Sequence, residues 1–294
     1  MDVLTQTLIY VPNIALSIPG WVKDMLTGGP IFTLAQQAWN FIMTIVVGFL
    51  GMGVDQYSPS SWSYVQNTIY PWFLSMGSTL LNLFCLIGFC RQASNLKDNV
   101  TTEMWIELFI KVLIANILMV NGLGIMQEFT GFASRISGTV IGDSYPQIIG
   151  DDLDLGLTLT MSLVAPLYLI LTLVCGITIL IEVMGRFLNL YMLMSVAPLA
   201  LSTAAGGRGM ENSAISWFKS FLTNVLQIAV IALILQFCSK IISENSLTIM
   251  ANSNTLTSWF SGAGSLIYSF VIMPFMATAV KESDNFLKRA FDLR

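Results

Sequence analysis

Two pairs of oppositely charged residues interrupt long apolar runs: Glu107 with Lys111, and Glu182 with Arg186. Both have i,i+4 spacing with the acid first, the favourable order on a helix. At about 100° per residue, Asn189 falls within an arc of about 60° shared with Glu182 and Arg186. In the earlier run, Glu107, Lys111 and Asn121 share an arc of about 80°, and Asn116 points away. Ionised groups inside a membrane-length run are costly and face protein, water or each other. Two chemistries are therefore open to each set. Glu107 and Lys111 form either a self-neutralising pair packed between helices or one station of a proton or ion relay. Lys111 also lies near enough to the end of its run for the stem to snorkel. Glu182, Arg186 and Asn189 form either an interfacial ion pair that sets depth and orientation, or a polar stripe facing a pore mouth or a partner subunit. A relay needs a further titratable group deep in another run, and the sequence offers none.

Other chemistries are excluded by residue type. The 294 residues contain no histidine, which removes Ser-His-Asp and Cys-His catalysis and His-ligated zinc. Cys85, Cys90, Cys175 and Cys238 fall inside apolar runs and form no CxxC pair; they read as small apolar fillers. GGRG at 206–209 lacks the spacing and the Lys-Ser/Thr ending of a phosphate loop. No catalytic, cofactor or metal site is expected, and the chain does not read as an enzyme. A net charge of −4 gives no global basic field for nucleic acid.

The elements that carry these residues are set by composition. The chain is 55% hydrophobic and only 10% charged, with mean hydropathy +0.73, against roughly 25% charged in soluble domains. From Thr158 to Ala205 only Glu182 and Arg186 are charged. That run is too long for one crossing, which takes about 20 apolar residues, and has no polar loop to divide it. The expected class is all-α: one polytopic membrane domain over 1–294, because lipid leaves backbone groups no partners outside a helix. Residues 1–30, broken by Pro12, Pro19 and Pro30, read as short interfacial helices. Four spans follow within 31–182: 32–53, 69–90, 104–126 and 158–181. A Ser/Tyr/Trp-rich loop is expected over 55–66, and a polar stretch over 127–157. Two more spans, 217–242 and 259–280, lie within 217–280, and 281–294 is a charged tail suited to an amphipathic helix. The glycines of GFLGMG (Gly48, Gly51, Gly53) would permit close helix approach.

Charge asymmetry orients this arrangement. With both termini cytoplasmic, Lys23, Arg91, Lys97, Arg186, Arg208, Lys219, Lys281, Lys288, Arg289 and Arg294 lie inside, and only Arg135 and Lys240 outside. Such a bias marks the cytoplasmic face. It holds if 183–205 does not cross: the segment, with 206–216 part of a cytoplasmic-side region, either extends the fourth helix, bends along the interface or forms a re-entrant loop ending near Pro198. A seventh crossing is the competing reading.

The stretch GRFLNLYMLMSVAPLALSTAAGGRGMENSAISWFKSFLTNVLQIAVIALI (185–234) resembles the TrbL-like polytopic membrane subunit of conjugative type IV secretion systems, particularly its Firmicute branch. The matching features are an Arg-led apolar helix with an Ala-Pro-Leu element, a small polar loop, an aromatic with a basic residue, and a Gln-bearing span. Here they are Arg186, Tyr191, Ala197, Pro198, Trp217, Lys219 and Gln227. TTEMWIELFIKVLIANIL (101–118) is similar to the family's earlier charged-aromatic helix. The resemblance implies a conductive or scaffolding subunit in the cytoplasmic membrane of a bacterium. Its implied partners are membrane lipid, other apparatus subunits including cytoplasmic ATPases, and transiently the DNA or DNA–protein substrate. Six spans with few polar residues enclose no DNA-wide pore alone, so a homo-oligomer is expected. The alternative is a small-molecule or ion transporter using Glu107 and Lys111, although the internal repeat common in such folds is not found.

Overall fold

A computed structural model describes residues 29–94, 102–142, 158–206, 209–243 and 257–291. Among them there are helices and turns and no strand. The elements in order are α1 (Gly29–Gly51), α2 (Val54–Tyr57), α3 (Pro59–Tyr64), a π-turn (Val65–Ile69) and α4 (Tyr70–Ser94). Next come α5 (Thr102–Ile141), α6 (Thr158–Ser202), a 3-10 turn (Thr203–Gly206), α7 (Glu211–Ser243) and α8 (Thr257–Ala290). Five stretches within these helices are long and apolar enough to cross a membrane: Ile31–Gly51, Pro59–Cys90, Trp105–Ile141, Val164–Gly206 and Glu211–Ile241. Phe109, Phe132, Leu167 and Val271 leave large apolar surfaces exposed, as hydrocarbon rather than water would accept. Of the interfacial segment expected over 1–30, residues 29 and 30 begin α1 and 1–28 lie outside the described residues, as do 95–101, 143–157 and 244–256.

Two boundaries differ from the sequence reading. The loop expected at 55–66 is largely helical. Ser58 caps α3 by accepting from the Ser61 amide at 3.4 Å, Pro59 fills the first turn, where a missing N–H is harmless, and Val54, Trp62 and Val65 are buried. Few apolar anchors among many hydroxyls hide a packed helix from a composition count. The third helix does not stop at Met126 but runs to Ile141. Its added turns bury Thr130 and Ser134, which satisfy themselves on the carbonyls of Gln127 (2.8 Å) and Gly131 (2.9 Å). It ends where Gly142 takes φ +54°, a left-handed cap that glycine adopts without strain. Of the options for 183–205, extension of the fourth helix is the one observed: 183–202 is the second half of α6 and neither an interfacial bend nor a re-entrant loop. A 45-residue helix without a turn cannot return through a bilayer, so no hairpin crossing is made there. The tail likewise begins as the last turns of α8.

By internal contacts the chain forms two compact units. Unit 1 takes the described residues of 1–44, 146–178 and 238–277. Its core is Trp39, Met43 and Tyr168. Phe32 and Phe270 pack on the Tyr168 ring at 5.4 and 5.3 Å. Gly176 is small because a Cβ there would sit 2.9 Å from Ile42 Cδ1.

Unit 2 takes the described residues of 45–145, 179–237 and 278–294. The Tyr57 ring stacks on Phe187 at 4.0 Å, and the Tyr191 hydroxyl donates to the Val54 carbonyl at 2.6 Å. The end of α6 and its 3-10 turn lie against α4 along a glycine seam. A Cβ at Gly77 would meet the Pro198 carbonyl oxygen at 2.8 Å, and one at Gly88 the Ala205 carbonyl oxygen at 2.9 Å. Eleven residues is about three turns, so both glycines share one face. Gly48 and Gly51, by contrast, have nothing within 4 Å of such an atom. The close approach expected of the GFLGMG glycines is therefore made elsewhere.

Candidate functional site

Helix periodicity brings the first polar cluster together inside unit 2. On α6, Ile179, Val183, Leu190, Met194 and Ala197 form a buried stripe at the three- and four-residue spacing of one helix face. Arg186 falls on that stripe and is carried in with it, with only 2% of its surface exposed. Glu182 lies at the stripe's edge and is half-buried, and Asn189 is exposed. The three residues expected to act as one polar face therefore divide: Arg186 points into the bundle and Asn189 out of it.

Gln227 of α7 and Ser283 of α8 complete the junction, both 2% exposed. The Gln227 amide donates to Ser283 Oγ at 3.1 Å and, at 3.5 Å, to Glu182 Oε1. Ser283 in turn donates to the Val280 carbonyl at 2.6 Å. One amide thus ties three helices together, the use amides have wherever water is absent. Arg186 stands apart from this chain of bonds. None of its Nε, Nη1 and Nη2 atoms has a hydrogen-bond partner, and the Glu182 carboxylate acts on it only through space.

The second cluster lies on the outer surface of unit 2. Lys111 Nζ is 3.0 Å from Glu107 Oε1 on the same helix and 3.7 Å from Glu211 Oε2 in the first turn of α7. The Glu107 and Lys111 side chains are 62% and 39% exposed, so the pair forms but is not packed between helices. Ile106, Glu107, Ile110 and Lys111 line a shallow depression of about 400 Å³. Asn121 does not join them: it is exposed and its amide returns to the Ile117 carbonyl at 3.1 Å. Glu211 was missed because it follows a glycine-rich stretch that reads as loop; Gly209, with φ +97°, turns the chain just before α7.

The residues that carry the 185–234 resemblance have these positions. Ala197 and Pro198 are buried, and Pro198 forms the backbone side of the glycine seam. The Trp217 indole donates to the Leu193 carbonyl at 3.1 Å and stacks on Phe221 at 5.9 Å. Lys219 is half-buried. Of the amides singled out in the spans, Asn82 is exposed, Asn224 bonds the Ser220 carbonyl of its own helix at 2.9 Å, and the Gln236 Oε1 atom is buried without a partner. Of these amides, Gln227 is the one that bridges helices among the described residues. Neither cluster pairs a nucleophile with a base; the first arranges charged and amide groups and the second charged groups alone. Among the described residues no group of three or more Cys, Asp or Glu side chains could hold a metal ion. No known family model, curated protein or solved structure matches the chain.

Proposed function

We propose that the chain is a channel or scaffold subunit of a conjugative type IV secretion apparatus. It sits in the bacterial cytoplasmic membrane, with α8 adding a sixth crossing to the five apolar spans. Both termini are cytoplasmic, and several copies assemble with ATPases that supply the energy. The observation that supports this reading is the use made of the resembling residues. Tyr191, Trp217 and Gln227 are not scattered over lipid-facing surface; each bonds between helices of unit 2. Chance likeness between apolar helices would not select the positions that hold a fold together.

The test is deletion of the gene in a donor strain and measurement of DNA transfer, with native mass of the complemented protein in gentle detergent. The expected result is transfer reduced to background, restored by the intact chain, and a multimeric mass. Undiminished transfer, or a strict monomer under several mild conditions, would overturn the reading.

A further inference from the structure

We propose that Glu107, Lys111 and Glu211 form a binding site for the headgroup of an ethanolamine phospholipid. Lys111 Nζ lies between the two carboxylates; the ligand's ammonium takes their remaining acceptor sites and its phosphate sits at Lys111. This rests on the apolar helices crossing a membrane and not on the secretion reading.

The cluster has unused bonding capacity. An ammonium has three donors and a carboxylate about four acceptor sites. Within the cluster, Lys111 spends one donor on Glu107 at 3.0 Å, and Glu211 at 3.7 Å stands beyond hydrogen-bond distance. Glu107 is mostly exposed, with Oε1 engaged by Lys111, and a carboxylate's four or so acceptor sites leave capacity for a ligand. The surroundings are lipidic. Ile106 and Ile110 wall the depression, and Phe109, Leu113 and Ile114 continue an exposed apolar surface along α5. Trp105, exposed and packed on Phe89 at 4.6 Å, is the residue type that settles at headgroup level. Glu211, in the first turn of α7, marks a helix end there too.

Charge selects among headgroups. Two carboxylates and one ammonium carry a net −1, which repels glycerol-type anionic lipids. A choline ammonium has no N–H to give the carboxylates. An ethanolamine headgroup offers three donors and a phosphate, matching acids and lysine together.

The test is native mass spectrometry of the full chain in mild detergent with ethanolamine, choline and glycerol phospholipids of identical acyl chains. One ethanolamine lipid should be retained about 10-fold more strongly than either competitor, which is about 1.4 kcal/mol. Glu107→Gln with Glu211→Gln should abolish the preference, Lys111→Met should weaken it, and Lys111→Arg should keep it. Glu282→Gln, an exposed acid on another helix, should leave it intact. All these side chains lie on the surface, so helicity by circular dichroism should be unchanged. Equal retention of the three lipids, a preference for the anionic lipid, or a preference surviving the double substitution would each overturn the proposal.

Discussion

Replacing Arg186 by methionine should stabilise the protein. A guanidinium that is 2% exposed, with all three nitrogens unbonded, keeps the desolvation cost of its donors without recovering it. Each unsatisfied buried polar group costs about 1–3 kcal/mol, so the three nitrogens together cost at least about 3 kcal/mol by that measure. The through-space attraction of Glu182, a half-buried acid, returns about 1 kcal/mol. Methionine keeps the unbranched stem and fills the same groove beside Val183 and Leu190. The expected net gain is about 2 kcal/mol, within the roughly 1–4 kcal/mol seen when buried charges give way to apolar side chains. The assay is reversible unfolding in mixed micelles, read by circular dichroism and compared with wild type. A loss of stability of more than about 1 kcal/mol would refute the reasoning. It would mean that the guanidinium has a partner in the folded protein, such as ordered water or a group from a neighbouring copy. Under the proposed function, DNA transfer by this variant should fall even as stability rises, because a residue that weakens the fold is kept for another use.

Further outcomes follow from the packing and from the proposed orientation. Gly77→Val should destabilise by about 1–3 kcal/mol, since overpacking forces backbone apart and the Pro198 carbonyl lies 2.8 Å from the new Cβ. Gly48→Val, with nothing within 4 Å, should change micelle unfolding far less, and equal effects would show that the seam is not where these helices meet. Tyr191→Phe removes a 2.6 Å bond to the Val54 carbonyl and should cost about 1 kcal/mol in the same unfolding assay. A cysteine at Glu282, exposed on α8, should label with impermeant maleimide only from the cytoplasmic side. Ser283, next to it, is unsuitable because it is buried against Gln227. Labelling of position 282 from outside would reverse the proposed orientation.

The parts of the fold legible in the sequence are those where burial and lipid exposure demand the same residues. The apolar runs of α1, α4 and α7 mark themselves, because hydrophobic density in a bilayer depends little on which face is inward. What stayed hidden depends on direction. The wheel grouped Glu182, Arg186 and Asn189 correctly in angle, yet the core stripe at Val183, Leu190 and Met194 lies to one side of them. The arc that seemed to be one polar face therefore straddles the border between inside and outside. The glycines show the same limit: Gly77 and Gly88 look no more special than Gly48 and Gly51 until the facing backbone is known. At 127–141 the hydroxyls of Thr130 and Ser134 raise the apparent polarity of a segment whose hydrogen bonds close within its own helix.

Unit 2 departs from the polarity plan of a water-soluble bundle. Its interior holds Arg186, Gln227, Thr223 and Ser283, while its exterior presents Phe109, Phe132 and Leu188. In water such an exterior would aggregate; in hydrocarbon it costs nothing, and the polar interior becomes the specific part of the contact. Yet the buried groups do not add up to a conduit. Gln227 spends its amide on Ser283 and Glu182, Ser283 returns to its own helix, and Arg186 has no surface to offer a passing ion. A wide polar passage therefore cannot run through this junction without breaking it. Under the proposed function the conduit forms between copies, with the junction bracing each copy. That division of labour is what the methionine variant separates: if Arg186 only tied helices together, removing it would not raise stability.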